Sequence, residues 1–200
     1  MMPKRKFNSV KGFNHHVKNA KELIFDGTEN PTERPQDADN QKSKFSGKKG
    51  THTDVMLLLS DKRSWIYYVS EIYDGSNVDM GILKKEFPPG KNWFKKHKVL
   101  FDLGFVGVEK YYAIKELVIG KKKPYKTKKN PDAKLSEDQK QKNTKISRER
   151  IYVEHAIGRM KKFRILKNRC RLKSNVMKNR IIGICAGLSN YDLSVKHSFS

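Results

Sequence analysis

The sequence predicts an α/β domain with a mixed sheet, in which an antiparallel three-strand meander is extended by parallel strands and flanked by helices. Three observations carry the prediction. The apolar runs Leu23-Ile24-Phe25, Val55-Met56-Leu57-Leu58-Leu59 and Trp65-Ile66-Tyr67-Tyr68-Val69, bounded by turn residues, read as strands. A fourth run, Val99-Leu100-Phe101, follows a helix signal. The last third of the chain carries helix caps and apolar residues at helical spacing.

Residues 1–20 are basic and weakly patterned, and are expected to form a frayed accessory segment. The first strand ends at Asp26, with Gly27 and Asn30-Pro31 closing it. Residues 30–50, rich in Pro, Asp, Gln and Lys, form an irregular loop. The second and third runs are joined through Ser60–Ser64 as a hairpin. Asp79 to Phe87 makes a short helix that Pro88-Pro89-Gly90 stops. Val99–Phe101 delivers Asp102, and a fifth strand lies near 116–119. A basic linker begins at Lys121-Lys122-Lys123-Pro124 and runs to Lys134. Ser136 with Gln139 is a capping box that starts a short helix to about 143. A longer helix starts at Ser147, with Val153, Ala156, Met160 and Phe163 as its apolar stripe. The last helix lies near Met177–Leu188.

The chain has 44 Lys and Arg against 21 Asp and Glu, a net charge of +23. That excess points to a polyanionic partner, most simply nucleic acid. Charge alone equally describes a basic structural nucleic-acid-binding protein. Cys170 and Cys185, with no signal peptide, read as reduced thiols of an intracellular protein. No apolar run approaches the ~18 residues of a membrane span.

What argues for chemistry is three acids in matching settings. Asp26 and Asp102 each follow an apolar strand, where open sheets place ligand sites. Glu154 lies on a helix, beside Val153 and at the edge of the apolar stripe, on one face with Arg150 and Lys161. Phosphodiester cleavage needs an activated water and a stabilised leaving oxygen, which two divalent cations held by carboxylates supply. Taken singly, Asp26 and Asp102 are turn residues and Glu154 is half of a solvated salt-bridge face. Lys48, Lys49, His52, Arg150, Arg159 and Lys161 are the candidates for phosphate contact. None of Tyr67, Tyr68, Tyr111, Tyr112 and Tyr152 sits in a basic cluster that marks it as an attacking group.

The order of strands and helices is that of a ribonuclease-H-like domain. Asp26-Gly27-Thr28-Glu29, Ser46-Gly47-Lys48-Lys49 with His52-Thr53, Asp74-Gly75-Ser76 with Asp79, Asp102-Leu103-Gly104-Phe105, and Val153-Glu154-His155 with Ile157-Gly158-Arg159 together resemble one family. It is the DDE transposase/endonuclease superfamily, which joins bacterial insertion-sequence transposases to Harbinger-type elements. Arg150, Glu154 and Lys161 match its signature Y-x₂-R-x₃-E-x₆-K, with Ser147 where Tyr would stand.

The resemblance implies that Asp26, Asp102 and Glu154 are the DDE triad, with two Mg²⁺ or Mn²⁺ ions. It also implies that the chain cleaves transposon ends and joins them to target DNA. The expected organisation is a basic segment (1–20), a catalytic domain (21–170) and a C-terminal helix and tail (171–200). The helix-turn-helix module usual in the family is expected to be absent, since 25 residues precede Asp26. Expected partners are DNA, an upstream helix-turn-helix subunit or frame-fused half, and a second copy of the chain; the expected location is the bacterial cytoplasm, at the nucleoid. The alternative is a truncated, non-catalytic, transposase-derived DNA-binding protein.

Overall fold

The computed structural model describes residues 2–125 and 132–198. A mixed sheet runs through the molecule. β1 (Leu23–Pro31) pairs antiparallel with β3 (Thr51–Ser60) on one side and parallel with β6 (Lys98–Phe101) on the other. β7 (Glu116–Ile119) adds in parallel beyond β6. Three short strands share the outer edge of β3: β2 (Phe45–Ser46), β4 (Ile66–Val69) and β5 (Tyr73–Asp74). This is the expected mixed α/β fold, with β1, β3 and β4 as its antiparallel meander.

Alternation along the strands divides the core into two layers. Leu23 and Phe25, Val55, Leu57 and Leu59, and Val99 and Phe101 face one way. There they meet α1 (Val10–His16), α3 (Asp79–Glu86) and an aromatic cluster. Ile24, Met56, Leu58 and Leu100 face the other way. They pack on α4 (Glu137–Met160) through Val153, Ala156 and Met160, and on α6 (Asn175–Ser198) through Ile182, Cys185 and Ala186. The short α5 (Arg164–Lys167) adds Leu166 to this layer.

Several expectations are corrected. β1 does not end at Asp26. It continues through Gly27 to Pro31, in register with β3 from Ile24↔Ser60 to Pro31↔Thr53. A long, buried partner strand satisfies these backbone groups, which outweighs the local turn preference of Gly and Asn. The N-terminal segment is not frayed. Phe13 and Val17 are fully buried, and Phe13 makes edge contacts with Trp93 and Phe94 at 6.0 and 5.8 Å. The loop expected over 30–50 contains α2 (Ala38–Lys44), whose Asp37 cap accepts from the Asn40 N–H, and then β2.

The Ser136–Gln139 capping box forms, but it starts one continuous helix rather than two. Ser147 is therefore mid-helix, where Ser costs only a few tenths of a kcal/mol against a packed apolar face. The basic linker expected from Lys121 falls partly outside the described residues. α6 extends well past the expected 177–188. It is pinned to β4 by Asn190, whose side chain accepts from the Ile66 N–H and donates to the Ile66 carbonyl, each at 2.8 Å.

Candidate active site

Register explains why two distant acids meet. Leu23↔Val99 and Ile24↔Leu100 are partners in the parallel β1–β6 pair. Two residues further on, the same register sets Asp26 beside Asp102, on the face of Ile24 and Leu100. On the opposite face Phe25 and Phe101 stack at 5.2 Å, nearly parallel. The face that carries the acids is the one covered by α4.

Arg150 of α4 reaches both acids. Its Nη1 donates to Asp102 Oδ1 at 2.7 Å, and its Nη2 lies 3.4 Å from Asp26 Oδ1. Asp26 Oδ1 also accepts from the Gly27 N–H at 2.9 Å. Asp102 does not cap the turn that follows it, so its carboxylate is free for the site. The Asp26 side chain is 15% exposed and that of Asp102 33%. Burial pushes the Asp26 carboxyl up to about 6. Arg150 and the Gly27 N–H hold it back, while the charges of Asp102 and Asp79 push the same way as burial. These are hard oxygen donors, crowded and short of positive charge.

That shift has a consequence for stability. The ordinary Asp value is 3.8, so between 3.8 and about 6 the folded protein keeps a proton that the unfolded chain has released. Stability therefore falls as pH rises through that window. Asp26→Asn removes the burden, and is expected to melt at a higher temperature than the wild type at pH 7. The gap should close on acidification to pH 4, as paired thermal melts across the range will measure.

Asp79 approaches from the other face of the sheet, at the start of α3. A Cβ on Gly27 would lie 2.1 Å from Asp79 Oδ1, and one on Gly104 2.9 Å from Asp79 Oδ2. Two glycines, one beside each acid, thus leave the notch that holds this carboxylate. Burial raises its pKa, Lys48 opposes the shift, and Asp102 and Glu29 add to it. Asp79, Asp102, Glu29 and Lys48, with Lys122, line a cleft of about 450 Å³ at this edge of the sheet. A smaller cleft on the far side of Asp102 is lined by Ser147, Asn143 and Arg150.

Glu154 is not gathered in. It lies on α4 one turn beyond Arg150 and on the face of Lys161, whose Nζ donates to the Glu29 carbonyl at 2.7 Å. Its carboxylate is exposed and has no ion pair among the described residues. The expected convergence of three carboxylates is thus met by two. No group of three or more His, Cys, Asp or Glu among the described residues is arranged to hold a metal ion.

The basic candidates divide. Lys48 and Lys49 are exposed, with Lys48 in the cleft. His52 is half-buried against the Phe45 ring at 5.7 Å. Arg150 is committed to the two acids. Arg159 is turned away, donating to the Ser64 carbonyl at 2.7 Å in the β3–β4 turn. Lys161 ties α4 to β1, and burial lowers its pKa. Sequence reasoning assigned no role to Asp79, Glu29 or Lys122. Asp79 entered only as part of the resemblance, with Asp74-Gly75-Ser76, and as the start of a helix.

Residues 25–190 match the family described as DDE superfamily endonuclease. Over 182 residues, 87% of this chain, it is 34% identical to a probable transposase for insertion sequence element IS702 from Microchaete diplosiphon. The chain spans 58% of that relative's length. No solved structure matches it. The family match covers all of the sheet but the first two residues of β1, and every acid described above, and on it the chain belongs to the DDE superfamily endonucleases, a transposase family.

Proposed function

We propose that this chain is the catalytic core of a transposase, which cleaves DNA at the element ends and joins the freed 3′-hydroxyls to target DNA. The observation that carries the reading is the meeting of Asp26 and Asp102 on one guanidinium, at adjacent positions of parallel strands. Their donor chemistry fits a divalent cation, Mg²⁺ or Mn²⁺, which keeps several waters and needs few protein ligands. Asp26 and Asp102 would hold it, and Glu154 is the proposed third acid for a second ion. Bound there, such ions supply an acidified water or hydroxyl and neutralise the leaving oxygen.

The chain's own residues do the rest. Arg150 keeps the two carboxylates together and offsets their repulsion. Glu154 shares a helical face with Arg150, and its exposed carboxylate is free to turn toward them. Lys48 and Lys122 line the cleft beside Asp102, where a phosphate backbone would run. Lys49 and His52, on the same β2–β3 hairpin, extend the contact. Two of the tyrosines are occupied elsewhere, the Tyr67 hydroxyl donating to Asp61 and the Tyr112 hydroxyl to the Phe87 carbonyl, and Tyr68 is buried in the core. The proposed route is direct hydrolysis and transesterification, with no covalent protein–DNA intermediate. Nicking of supercoiled plasmid in Mg²⁺ or Mn²⁺ tests it. Nicking that persists in chelator, or a protein–DNA adduct that survives denaturation, would overturn it.

Binding to DNA is expected to be mainly electrostatic. Affinity should fall by roughly 10³-fold or more between 50 and 200 mM salt. A flat affinity by fluorescence anisotropy contradicts this. The exposed position of Glu154 favours a second reading, DNA binding without cleavage. No nicking by the wild type, with DNA affinity equal to that of Glu154→Gln, selects it.

A further inference from the structure

Asp79 takes no part in the triad, yet its position is built into the site. It stands first in α3, and α3 packs on the face of the sheet opposite α4. Its two carboxylate oxygens sit where Cβ atoms of Gly27 and Gly104 would be. Gly27 directly follows Asp26, and Gly104 lies two residues after Asp102. The Asp79 carboxylate accepts no hydrogen bond and makes no ion pair among the described residues, although it is half-buried. Fixing an unpaired carboxylate beside two others costs free energy. Its place in the first turn of α3 returns only a modest part of that cost.

We propose that Asp79 is a positioning residue for the Asp26–Asp102 centre. Seated between Gly27 and Gly104, it sets the separation of the two strand ends. It also places a fixed negative charge on the side opposite Arg150, and so tunes the centre's affinity for a divalent cation. The inference rests on the proposed cation-dependent reading of that centre. Asp26 and Asp102 are the residues that would hold Mg²⁺ or Mn²⁺, and Asp79 would act on the ion only through their placement and through its own charge.

Mn²⁺ binding to the full chain, followed by electron paramagnetic resonance without DNA, reads this directly. Asp79→Asn is expected to raise the Mn²⁺ dissociation constant about tenfold. Glu137→Gln, an exposed acid at the far end of α4, should leave it unchanged. Gly104→Ala alters no charge. Its backbone is outside the left-handed region, and its Cβ would displace Asp79 Oδ2. It is expected to weaken Mn²⁺ binding in the wild type but to add nothing in an Asp79→Ala background, where no carboxylate is left to displace. Thermal melts without cation confirm that each variant is folded. If Asp26→Asn weakens Mn²⁺ binding and Asp79→Asn does not, the inference is overturned and the centre stands. Additive effects of Gly104→Ala and Asp79→Ala also overturn it. If Asp26→Asn leaves Mn²⁺ binding intact, the proposed centre itself fails, and the inference with it.

Discussion

Asp26→Asn and Asp102→Asn are each expected to lower DNA cleavage by at least about 10³-fold, or about 4 kcal/mol of transition-state stabilisation, with DNA affinity within about twofold of the wild type. The amide keeps the size of the side chain and can still accept from Arg150. What it removes is the charge that would hold a cation. Removing a negative charge next to the cleft that Lys48 and Lys122 line gives DNA affinity no reason to fall. Single-turnover cleavage and anisotropy on the same preparations measure both quantities. Equal losses in cleavage and binding would show that the acids shape a DNA surface rather than a reacting centre.

The second large effect lies away from the site. Asp54→Ala is expected to cost about 3–5 kcal/mol of stability, a fall in melting temperature of about 10 °C or more. Asp54 is buried in β3 and takes two lysines, Lys44 at 2.7 Å and Lys178 at 2.6 Å. Lys178 comes from α6, is itself buried, and also donates to Thr32 at 3.2 Å. Removing Asp54 leaves that ammonium inside the protein without its carboxylate, beside an apolar cavity lined by Ile165, Leu166 and Ile182. Lys178→Met should cost far less, because Asp54 keeps Lys44 and the thioether suits the apolar lining. Chemical denaturation of the two single variants measures this. Equal costs would mean that the pair contributes little beyond packing.

Much of the sheet was legible in the sequence, because its central strands are continuous apolar runs with few alternatives. The positions of Asp26 and Asp102 followed from those runs, and their meeting followed from the register that the runs adopt. The length of β1 was not legible. Gly27 and Asn30 look like a turn until a ten-residue partner strand supplies the ladder. Nor was the burial of Phe7, Phe13 and Val17, which depends on Phe87, Trp93 and Phe94, some seventy to ninety positions away. Arg150 was expected on phosphate, but two neighbouring carboxylates claim it first. Glu154 shows the limit of helical spacing, which gives the face but not the reach. Val153, Ala156 and Met160 fix the rotation of α4, and at that rotation Glu154 is exposed. Asp79 was hidden because its contacts are made by the missing side chains of two glycines.

Localising the ion tests the account most directly. Fe²⁺ bound in place of Mg²⁺, with ascorbate and peroxide, cuts a polypeptide near the metal. Backbone cleavage is expected next to Asp26 and Asp102 and around Asp79, suppressed by excess Mg²⁺ and lost in Asp26→Asn. Cuts elsewhere in the chain, or the same cuts in Asp26→Asn, would contradict it.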